Sequence, residues 1–362
     1  MSAKILPNIS DALRLIRSGR LNEATALLRQ GGGPAPSVQV NVPPAQVFDL
    51  QSLKQHLPSG LQGLFKGRMP AEPAVAVPDG ATFVERSFAN PFGSRTYKLY
   101  VPASARGGSL PLVVMLHGCT QNPDDFAAGT RMNALAEERG FLVAYPAQPK
   151  SANPNGCWNW FERAHLAAEQ GEPSLIVGIV RQIMRDQPVD PDRVYIGGLS
   201  AGGAAALNLA SLHPELFAAV GVHSGLAYGA AQDMPSAFAA MRQGAASFPP
   251  RTGRVVPTIV FHGSQDGTVH PRNAVQIIEQ ASAGQHYARV GEKDQVDGGH
   301  DYSRASYADP RGRVMLEQWT VHGAGHAWFG GSSTGSYTDP RGPDASREMI
   351  RFFLDHHRTA QG

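Results

Sequence analysis

Residues 193–210 read RVYIGGLSAGGAAALNLA and contain the pattern Gly-x-Ser-x-Gly between Gly198 and Gly202. An apolar, β-prone run precedes the pattern, and a helix-prone run rich in alanine and leucine follows it. A strand, a sharp turn and a helix are the context in which this pattern presents a serine nucleophile, here Ser200. Glycine suits the two ends because a Cβ atom would collide in so tight a turn. The chain has 40 glycines in 362 residues, so the flanking strand and helix, and not the pattern alone, support this prediction.

The composition is that of an ordinary globular protein, with 42% hydrophobic and 17% charged residues. A net charge of +2 gives no reason to expect a nucleic-acid partner. No apolar run approaches the length of a membrane span. The N-terminus lacks the apolar stretch of a secretory signal, which predicts a cytoplasmic protein or one whose signal was replaced. In an intracellular chain, the two cysteines, Cys119 and Cys157, are expected to be reduced.

The chain divides into three predicted segments. Residues 1–30 form a helical appendage with five basic and two acidic residues. Such a segment could dock on a membrane, a polymer granule or a partner, but its short apolar faces favour packing on its own domain. Residues 31–80 are rich in proline and glycine and are predicted to be a linker. Residues 81–358 form the main domain.

The main domain begins with a predicted antiparallel hairpin, 82–88 and 95–101, and then alternates strands with helices. The predicted strands are 112–116, 141–145, 193–197, 218–222, 258–261 and 314–321. The predicted helices are 124–138, 174–185, the helix after Ser200, 272–283 and 344–354. This alternation predicts an α/β fold with a doubly wound, mostly parallel sheet.

Functional groups collect just past the carboxyl ends of the strands in such a sheet. Asp266 follows the strand 258–261, and His326 follows the strand 314–321. The chain order serine, aspartate, histidine is that of an α/β-hydrolase triad. We therefore expect Ser200 to attack an ester carbonyl, His326 to act as general base and Asp266 to orient the imidazole. The N–H groups of Cys119 and Ala201 are the expected oxyanion hole.

Each of these assignments has competitors. His322 and His300 are rival bases, but the glycines leading into His326 favour that residue. The rival acids are Asp294, Asp297 and Asp301. The stretch 297–301 could hold a cation, but its spacing matches no ordered Ca²⁺ loop, so a solvated polar loop is preferred.

Aromatic residues in loops are candidates for lining a substrate cleft. The cleft role is favoured for Trp328, two residues past His326. Trp158, Trp160 and Phe161 are also candidates, although packing in the core explains Trp158 and Phe161 equally well. His117 and His262 precede glycines after their strands and are expected to support the site by hydrogen bonds, with His117 also a candidate substrate contact.

Five stretches together resemble the polyhydroxybutyrate depolymerase family of esterases. They are LHGCTQ (116–121), GCWNWF (156–161), GLSAGG (198–203), GHAW (325–328) and SYTDPRGPDA (336–345). The resemblance covers about residues 82–356 and implies a secreted-type α/β-hydrolase that cleaves esters of short 3-hydroxy acids. It places the nucleophile, acid and base on Ser200, Asp266 and His326. It also implies an oxyanion donor at Cys119 and a disulfide from Cys119 to Cys157. The basic N-terminal segment departs from a secreted relative's signal peptide.

The resulting hypothesis is a serine carboxylic-ester hydrolase that acts on polyhydroxyalkanoate or its oligomers without a metal or organic cofactor. One alternative is an esterase acting on plant-wall feruloyl or acetylxylan esters. Another is a non-catalytic hydrolase-fold protein that binds a polymer or partner. The presence of all three triad residue types argues against that alternative.

Overall fold

The computed structural model describes residues 75–105, 108–166, 170–249 and 254–358. The predicted helical appendage 1–30 and nearly all of the predicted linker 31–80 lie outside these ranges. Among the described residues, no helix is both long enough and apolar enough to cross a bilayer.

A ten-stranded sheet forms the centre of the described domain. Its strands are β1 (Thr82–Asn90), β2 (Gly93–Val101), β3 (Leu110–Leu116), β4 (Leu142–Pro146), β5 (Val189–Leu199), β6 (Ala219–His223), β7 (Thr258–Gly263), β8 (Ala288–Gln295), β9 (Asp301–Ala308) and β10 (Val314–Val321). They lie side by side in the order β1-β2-β4-β3-β5-β6-β7-β10-β9-β8. The six strands from β4 to β10 in this order are parallel, and an antiparallel pair extends the sheet at each edge. The predicted mostly parallel sheet and its opening hairpin are confirmed.

Helices cover both faces of the sheet. They are α1 (Pro123–Thr130), α2 (Met132–Arg139), α3 (Gly171–Asp186), α4 (Ala201–Leu212), α5 (Met234–Gln243), α6 (Arg272–Ser282) and α7 (Ala345–Leu354). Alternate residues of β3 serve the two faces, since successive side chains of a strand point to opposite sides. Leu112 and Val114 pack in the core with α3, α4 and α6. Val113 and Met115 pack in the core with α1, α2 and α7. A strand buried on both faces therefore reads as a continuous apolar run.

The strand register aligns the carboxyl ends of the parallel strands with one another. Leu116 of β3 pairs with Gly198 of β5, and Gly198 also pairs with Val222 of β6. On the other side, Val321 of β10 pairs with Gly263 of β7. The loops that follow these strands consequently meet along one edge of the sheet, as expected for a parallel arrangement.

The single helix predicted over residues 124–138 is wrong, because two helices occupy this stretch. Arg131 separates them with a left-handed backbone, φ 54°. Its guanidinium donates a hydrogen bond of 2.8 Å to the carbonyl of Gly330 and lies 3.2 Å from Asp344. These tertiary contacts accompany a helix break that the local sequence did not indicate. Gly140, with a left-handed backbone, ends the second of these helices.

Helix α5 and the strands β8 and β9 lie where no element is predicted. Asp301, expected in a solvated polar loop over 297–301, is the first residue of β9, and the rival acid Asp294 lies in β8. Every residue of β8 is exposed. A strand without a buried face lacks the apolar alternation that identifies strands in a sequence. Residues 296–300 form the hairpin's turn region.

Helix α4 approaches the end of β3 more closely than side chains would allow. A Cβ atom on Gly202 would collide with the carbonyl of Leu116 and would lie 2.5 Å from the carbonyl oxygen of His117. A Cβ atom on Gly198 would lie 2.5 Å from the carbonyl carbon of Gly202. Backbone atoms cannot move aside as a flexible side chain can, so the turn requires glycine at both positions.

We expect Gly202→Ala to destabilise the fold by about 2–3 kcal/mol, the usual cost of forcing atoms into a closely packed region. Urea unfolding followed by circular dichroism measures this change. Gly108→Ala is the control, since its Cβ would meet nothing within 4 Å. Equal unfolding midpoints for the two variants would contradict the steric account.

Candidate active site

Ser200 occupies the sharp turn between β5 and α4. Its backbone has φ 58° and ψ −120°, a conformation that residues other than glycine rarely adopt. The Ser200 N–H donates a hydrogen bond of 2.8 Å to the carbonyl of His223, and its carbonyl accepts one of 3.0 Å from Ala204. Strained backbone of this kind persists where the surroundings hold it, and it clusters at functional sites.

Asp266 and His326 form a close pair. The His326 Nδ1 atom lies 2.7 Å from Asp266 Oδ2, and the aspartate side chain is fully buried. The other carboxylate oxygen, Oδ1, accepts hydrogen bonds from the N–H groups of Thr268 at 2.9 Å and Val269 at 2.8 Å. The loop after β7 thus orients the carboxylate, and the carboxylate orients the imidazole.

Asp266 remains ionised despite its burial. Burial, the largest single influence, raises the pKa of the carboxyl group. The charge and hydrogen bond of His326 act in the opposite direction, aided by His262 and the Val269 amide. Together they prevail and lower the pKa of Asp266 from 3.8 to about 2. His262 Nε2 lies 3.5 Å from Asp266 Oδ2 and donates to the carbonyl of Val269 at 2.7 Å. This is the supporting position expected for His262.

Both rival bases, and Asp294 among the rival acids, have other partners. His322 Nε2 lies 2.7 Å from the hydroxyl of Ser303, and His300 Nε2 lies 2.8 Å from Asp339 Oδ2. Asp294 accepts a hydrogen bond of 3.3 Å from a tyrosine hydroxyl. Of the candidate acids and bases, Asp266 and His326 are the two that the structure joins to each other.

His117 holds the peptide group that contains the N–H of Cys119. Its Nδ1–H donates to the carbonyl of Gly118 at 2.8 Å, and this carbonyl belongs to the same peptide plane as that N–H. The other ring nitrogen, Nε2, accepts a hydrogen bond of 3.2 Å from Gln148 N. Burial lowers the pKa of His117 to about 4, so the ring is neutral and can donate and accept at once.

Gln121 and the start of α4 complete this part of the site. The Gln121 Oε1 atom accepts the N–H of Gly118 at 2.9 Å, which fixes the loop after β3. Ala201 is the first residue of α4, so its N–H has no acceptor within the helix. The positive end of the helix dipole lies at the same point. Both features suit the binding of a developing negative charge.

Cys119 and Cys157 form a disulfide bond. The pairing implied by the family resemblance is confirmed, and the expectation of reduced thiols from composition is wrong. A hydrogen bond of 2.8 Å from Thr120 N to the carbonyl of Asn155 runs beside the disulfide. The loop after β3 is therefore tied, covalently and by a hydrogen bond, to the loop that contains Trp158.

The candidate aromatic residues lie inside the protein. Trp158 is fully buried and donates its indole N–H to the carbonyl of His117 at 3.0 Å. Trp328 is 1% exposed and donates to the hydroxyl of Ser346 at 2.9 Å. Trp160 is also buried. All three tryptophans are buried in this structure, and a substrate-binding role for them and for His117 stays a prediction.

His223 is a central residue that the sequence analysis did not consider. It ends β6, its carbonyl accepts the N–H of Ser200, and its Nε2 accepts the N–H of Phe329 at 3.1 Å. Its ring stacks on Trp328 with 4.9 Å between centroids. Burial holds its pKa well below the ordinary value, so the ring stays neutral. The signal that could have found His223 is its position at the carboxyl end of a predicted strand.

Glu172 is a second residue that was missed. It lies in the first turn of α3, and its buried carboxylate accepts hydrogen bonds from the N–H of Asn159 at 3.0 Å and from Gln148. Burial raises its pKa, although nearby His165 and Arg95 oppose this effect. Gln148 also donates to the carbonyl of Cys157 at 3.0 Å. The sequence carries no signal for this network, because its members come from separate elements.

Comparison with known proteins connects this geometry to a family. The model of the esterase PHB depolymerase family matches residues 95–288, more than half of the chain. Poly(3-hydroxyalkanoate) depolymerase C of Paucimonas lemoignei is 33% identical over 249 residues, which cover 66% of this chain and 59% of that protein. Feruloyl esterase B of Neurospora crassa is 32% identical over 211 residues, which cover 53% of this chain and 70% of that protein.

The fold also has a counterpart among solved structures. An acetyl xylan esterase from Aspergillus awamori superimposes with a TM-score of 0.59 at 21% identity, covering 75% of this chain and 99% of that one. This likeness confirms the predicted α/β-hydrolase fold. The family match over more than half of the chain shows that this protein belongs to the PHB (polyhydroxybutyrate) depolymerase family of esterases.

Proposed function

We propose that this protein is a serine carboxylic-ester hydrolase that cleaves polyhydroxyalkanoate, such as poly(3-hydroxybutyrate), or its oligomers. The observation that carries the proposal is the pair of buried Asp266 and partly buried His326 at the same sheet edge as the strained Ser200. A carboxylate that stays ionised beside an imidazole is the arrangement that makes histidine an effective base toward a serine hydroxyl.

In the proposed reaction, Ser200 Oγ attacks the ester carbonyl and its proton passes to His326 Nε2. The other ring nitrogen, Nδ1, keeps its proton because it donates that proton in a hydrogen bond to Asp266. The carboxylate also stabilises the resulting imidazolium. His326 then returns the proton to the departing alkoxide, and an acyl-enzyme ester remains. A water molecule, deprotonated by His326, attacks this ester and forms a second tetrahedral intermediate. Its bond to Ser200 Oγ then breaks, His326 returns the proton to that oxygen, and the acid leaves.

The oxyanion of each tetrahedral intermediate is proposed to bind the N–H groups of Cys119 and Ala201. In comparable sites one such donor contributes about 3 kcal/mol to the stabilisation of the transition state. The hydrogen bond from His117 to the carbonyl of Gly118 supports this role, since it fixes the plane of the Cys119 amide in advance of the reaction.

The substrate class follows from the relatives. The matched segment of the poly(3-hydroxyalkanoate) depolymerase covers more of this chain than the matched segment of the feruloyl esterase does. A polyester of 3-hydroxy acids is therefore the favoured substrate, and an aromatic or acetyl ester of plant cell walls is the second candidate. The disulfide supports an oxidising, extracellular setting for the reaction.

We expect Ser200→Ala to lower kcat for p-nitrophenyl butyrate by at least about 10³-fold, because it removes the nucleophile. Release of p-nitrophenol measures the rate. Ser211→Ala is the control, since Ser211 lies in α4 and its hydroxyl bonds only to the helix backbone in the described contacts. A Ser200→Ala protein that folds and retains full activity would refute the proposed mechanism.

The same pair of variants tests the substrate class. Wild type and Ser211→Ala are expected to clear a suspension of amorphous poly(3-hydroxybutyrate) and release soluble 3-hydroxybutyrate, and Ser200→Ala is not. Methyl ferulate and acetylated xylan are the comparison substrates. Higher kcat/KM on either of these, with no clearing of the polyester, would favour the plant-wall esterase instead.

The low pKa of Asp266 predicts an acid-sensitive contribution to stability. Because the folded pKa is depressed, this contribution is present above about pH 4 and is lost as the pH falls toward 2. Between these limits we expect wild type to lose about 2 kcal/mol more unfolding free energy than Asp266→Asn. Urea unfolding at several pH values measures the difference.

Asp297→Asn is the control for this measurement, because Asp297 is exposed in the β8–β9 turn. It should keep the pH dependence of wild type. Parallel stability curves for wild type and Asp266→Asn from pH 5 to pH 2.5 would show that the carboxylate is not held ionised by His326.

A further inference from the structure

The motif SYTDPRGPDA (336–345) is one of the stretches that resemble the family, and the reaction described above gives it no role. Its first four residues, Ser336 to Asp339, form a short segment that we name the clasp. The clasp contacts the loop after β3, which contains the proposed oxyanion donor, and the loop after β10, which contains His326. It therefore connects two parts of the site whose strands, β3 and β10, lie near opposite ends of the row of parallel strands.

On the side of the oxyanion loop, Ser336 is the anchor. Its N–H donates to Asp125 Oδ1 at 2.8 Å, and its hydroxyl donates to Asp125 Oδ2 at 2.5 Å. Gln121 Nε2 donates to the Ser336 carbonyl at 3.1 Å and to Asp125 Oδ2 at 2.9 Å. The same Gln121 side chain holds Gly118 N through its oxygen, so the clasp and the oxyanion loop share one hydrogen-bonded network.

On the side of the histidine loop, the clasp makes a short parallel pairing. The strand β11 (Trp328–Phe329) pairs with β12 (Thr338–Asp339). Trp328 N donates to the carbonyl of Tyr337 at 2.6 Å, and Gly330 N donates to the carbonyl of Asp339 at 2.8 Å. Trp328 follows His326 by two residues, so these hydrogen bonds fix the clasp relative to the segment that contains the proposed base.

Tyr337 reaches from the clasp to the residue after Cys119. The hydroxyl of Thr120 lies 2.6 Å from the carbonyl of Cys119 and 3.0 Å from the hydroxyl of Tyr337. A carbonyl can only accept, so Thr120 donates its single hydroxyl hydrogen to Cys119. Tyr337 must then be the donor to Thr120. The result is a directed relay from Tyr337 through Thr120 to the Cys119 carbonyl.

The backbone at both ends of this relay is strained. Thr120 has φ 66° and Tyr337 has φ 52°, left-handed values that β-branched and bulky residues rarely adopt. Such conformations persist only where the surrounding contacts impose them. Thr120 is further held by the hydrogen bond from its N–H to Asn155. The relay thus acts on the peptide group between Cys119 and Thr120. This group is already constrained, and it lies next to the one that contains the proposed oxyanion donor.

We propose that Tyr337 is a positioning residue for the oxyanion hole, acting through Thr120 on Cys119, and that the clasp aligns this hole with His326. The inference rests on the proposed function, because it concerns the same reaction. A group that only aligns an oxyanion donor affects the tetrahedral transition state more than the bound substrate. Its loss should therefore lower kcat and leave KM nearly unchanged.

The test measures kcat and KM for p-nitrophenyl butyrate in Tyr337→Phe, Thr120→Val and the double variant. Each single change removes one hydroxyl and nearly preserves shape. We expect each to lower kcat by about tenfold, the effect of one hydrogen bond, with KM within about twofold of wild type. The double variant should be no slower than the slower single variant, because both changes interrupt one relay. Thr120→Ser, which restores the hydroxyl, should recover the kcat that Thr120→Val loses.

Inhibition by phenylboronic acid provides a second readout. This acid forms a tetrahedral adduct with an active serine, so its Ki should rise by the same factor as kcat falls, whereas a purely structural role would change the melting temperature instead. Three results would overturn the inference: unchanged kcat in Tyr337→Phe, a rise in KM alone, or effects that multiply in the double variant. If Tyr337→Phe fails to fold, the comparison of Thr120→Val with Thr120→Ser decides the question.

The Ser200→Ala variant separates this inference from the proposed function. If Ser200→Ala retains activity, the serine mechanism itself fails. If Ser200→Ala is inactive while Tyr337→Phe and Thr120→Val keep the kcat of wild type, the mechanism stands and the positioning role is refuted.

Discussion

The close approach of helix α4 to the end of strand β3 is the constraint on which the rest of the site depends. Gly202 lies against the backbone carbonyls of Leu116 and His117, where no side chain fits. This contact puts the first turn of α4 beside the loop that contains Cys119. The proposed nucleophile, Ser200, and the two proposed oxyanion donors are therefore close in sequence to this one backbone contact, and Ser200 itself has a strained conformation.

Around this contact, the described structure uses neutral and ionised groups for different purposes. Asp266 keeps its charge because His326 and the surrounding donors outweigh its burial. His117 and His223 are neutral because burial lowers their pKa values more than the nearby carboxylates of Asp125 and Asp266 raise them, and each neutral ring accepts a backbone N–H. The buried negative charge is thus found at the pair of Asp266 and His326, and neutral imidazoles hold the backbone of the neighbouring loops in place.

Three connections fix the oxyanion loop from different directions. The disulfide ties Cys119 to the loop of Trp158, His117 holds the Gly118 carbonyl, and the clasp holds Thr120 and Gln121. A site that stabilises a developing charge works best when its donors do not reorganise during the reaction. The clasp adds a link to the loop of His326, so the proposed base and the loop after β3 share one hydrogen-bonded framework although more than 200 residues separate them in the sequence.

The sequence by itself determined the order of elements in the main domain and the candidate residues of the triad. Buried parallel strands read as apolar runs, and the residues that follow them fall at one sheet edge, so Ser200, Asp266 and His326 could be named from position alone. The family resemblance added the disulfide. Local sequence patterns did not predict the exposed strand β8, because it has no buried face. They did not predict the helix break at Arg131 either, because it accompanies contacts with residues about 200 positions away.

Only the tertiary structure decided which partner each polar group takes. His300 and His322 were plausible bases in the sequence, and they bond to Asp339 and Ser303 instead. Trp158 and Trp328 occupy loops in the sequence but core positions in the fold, since each indole finds a buried acceptor. Hydrogen bonds of this kind join residues far apart in the chain. They depend on distance and direction, which local propensity and hydrophobic periodicity do not encode.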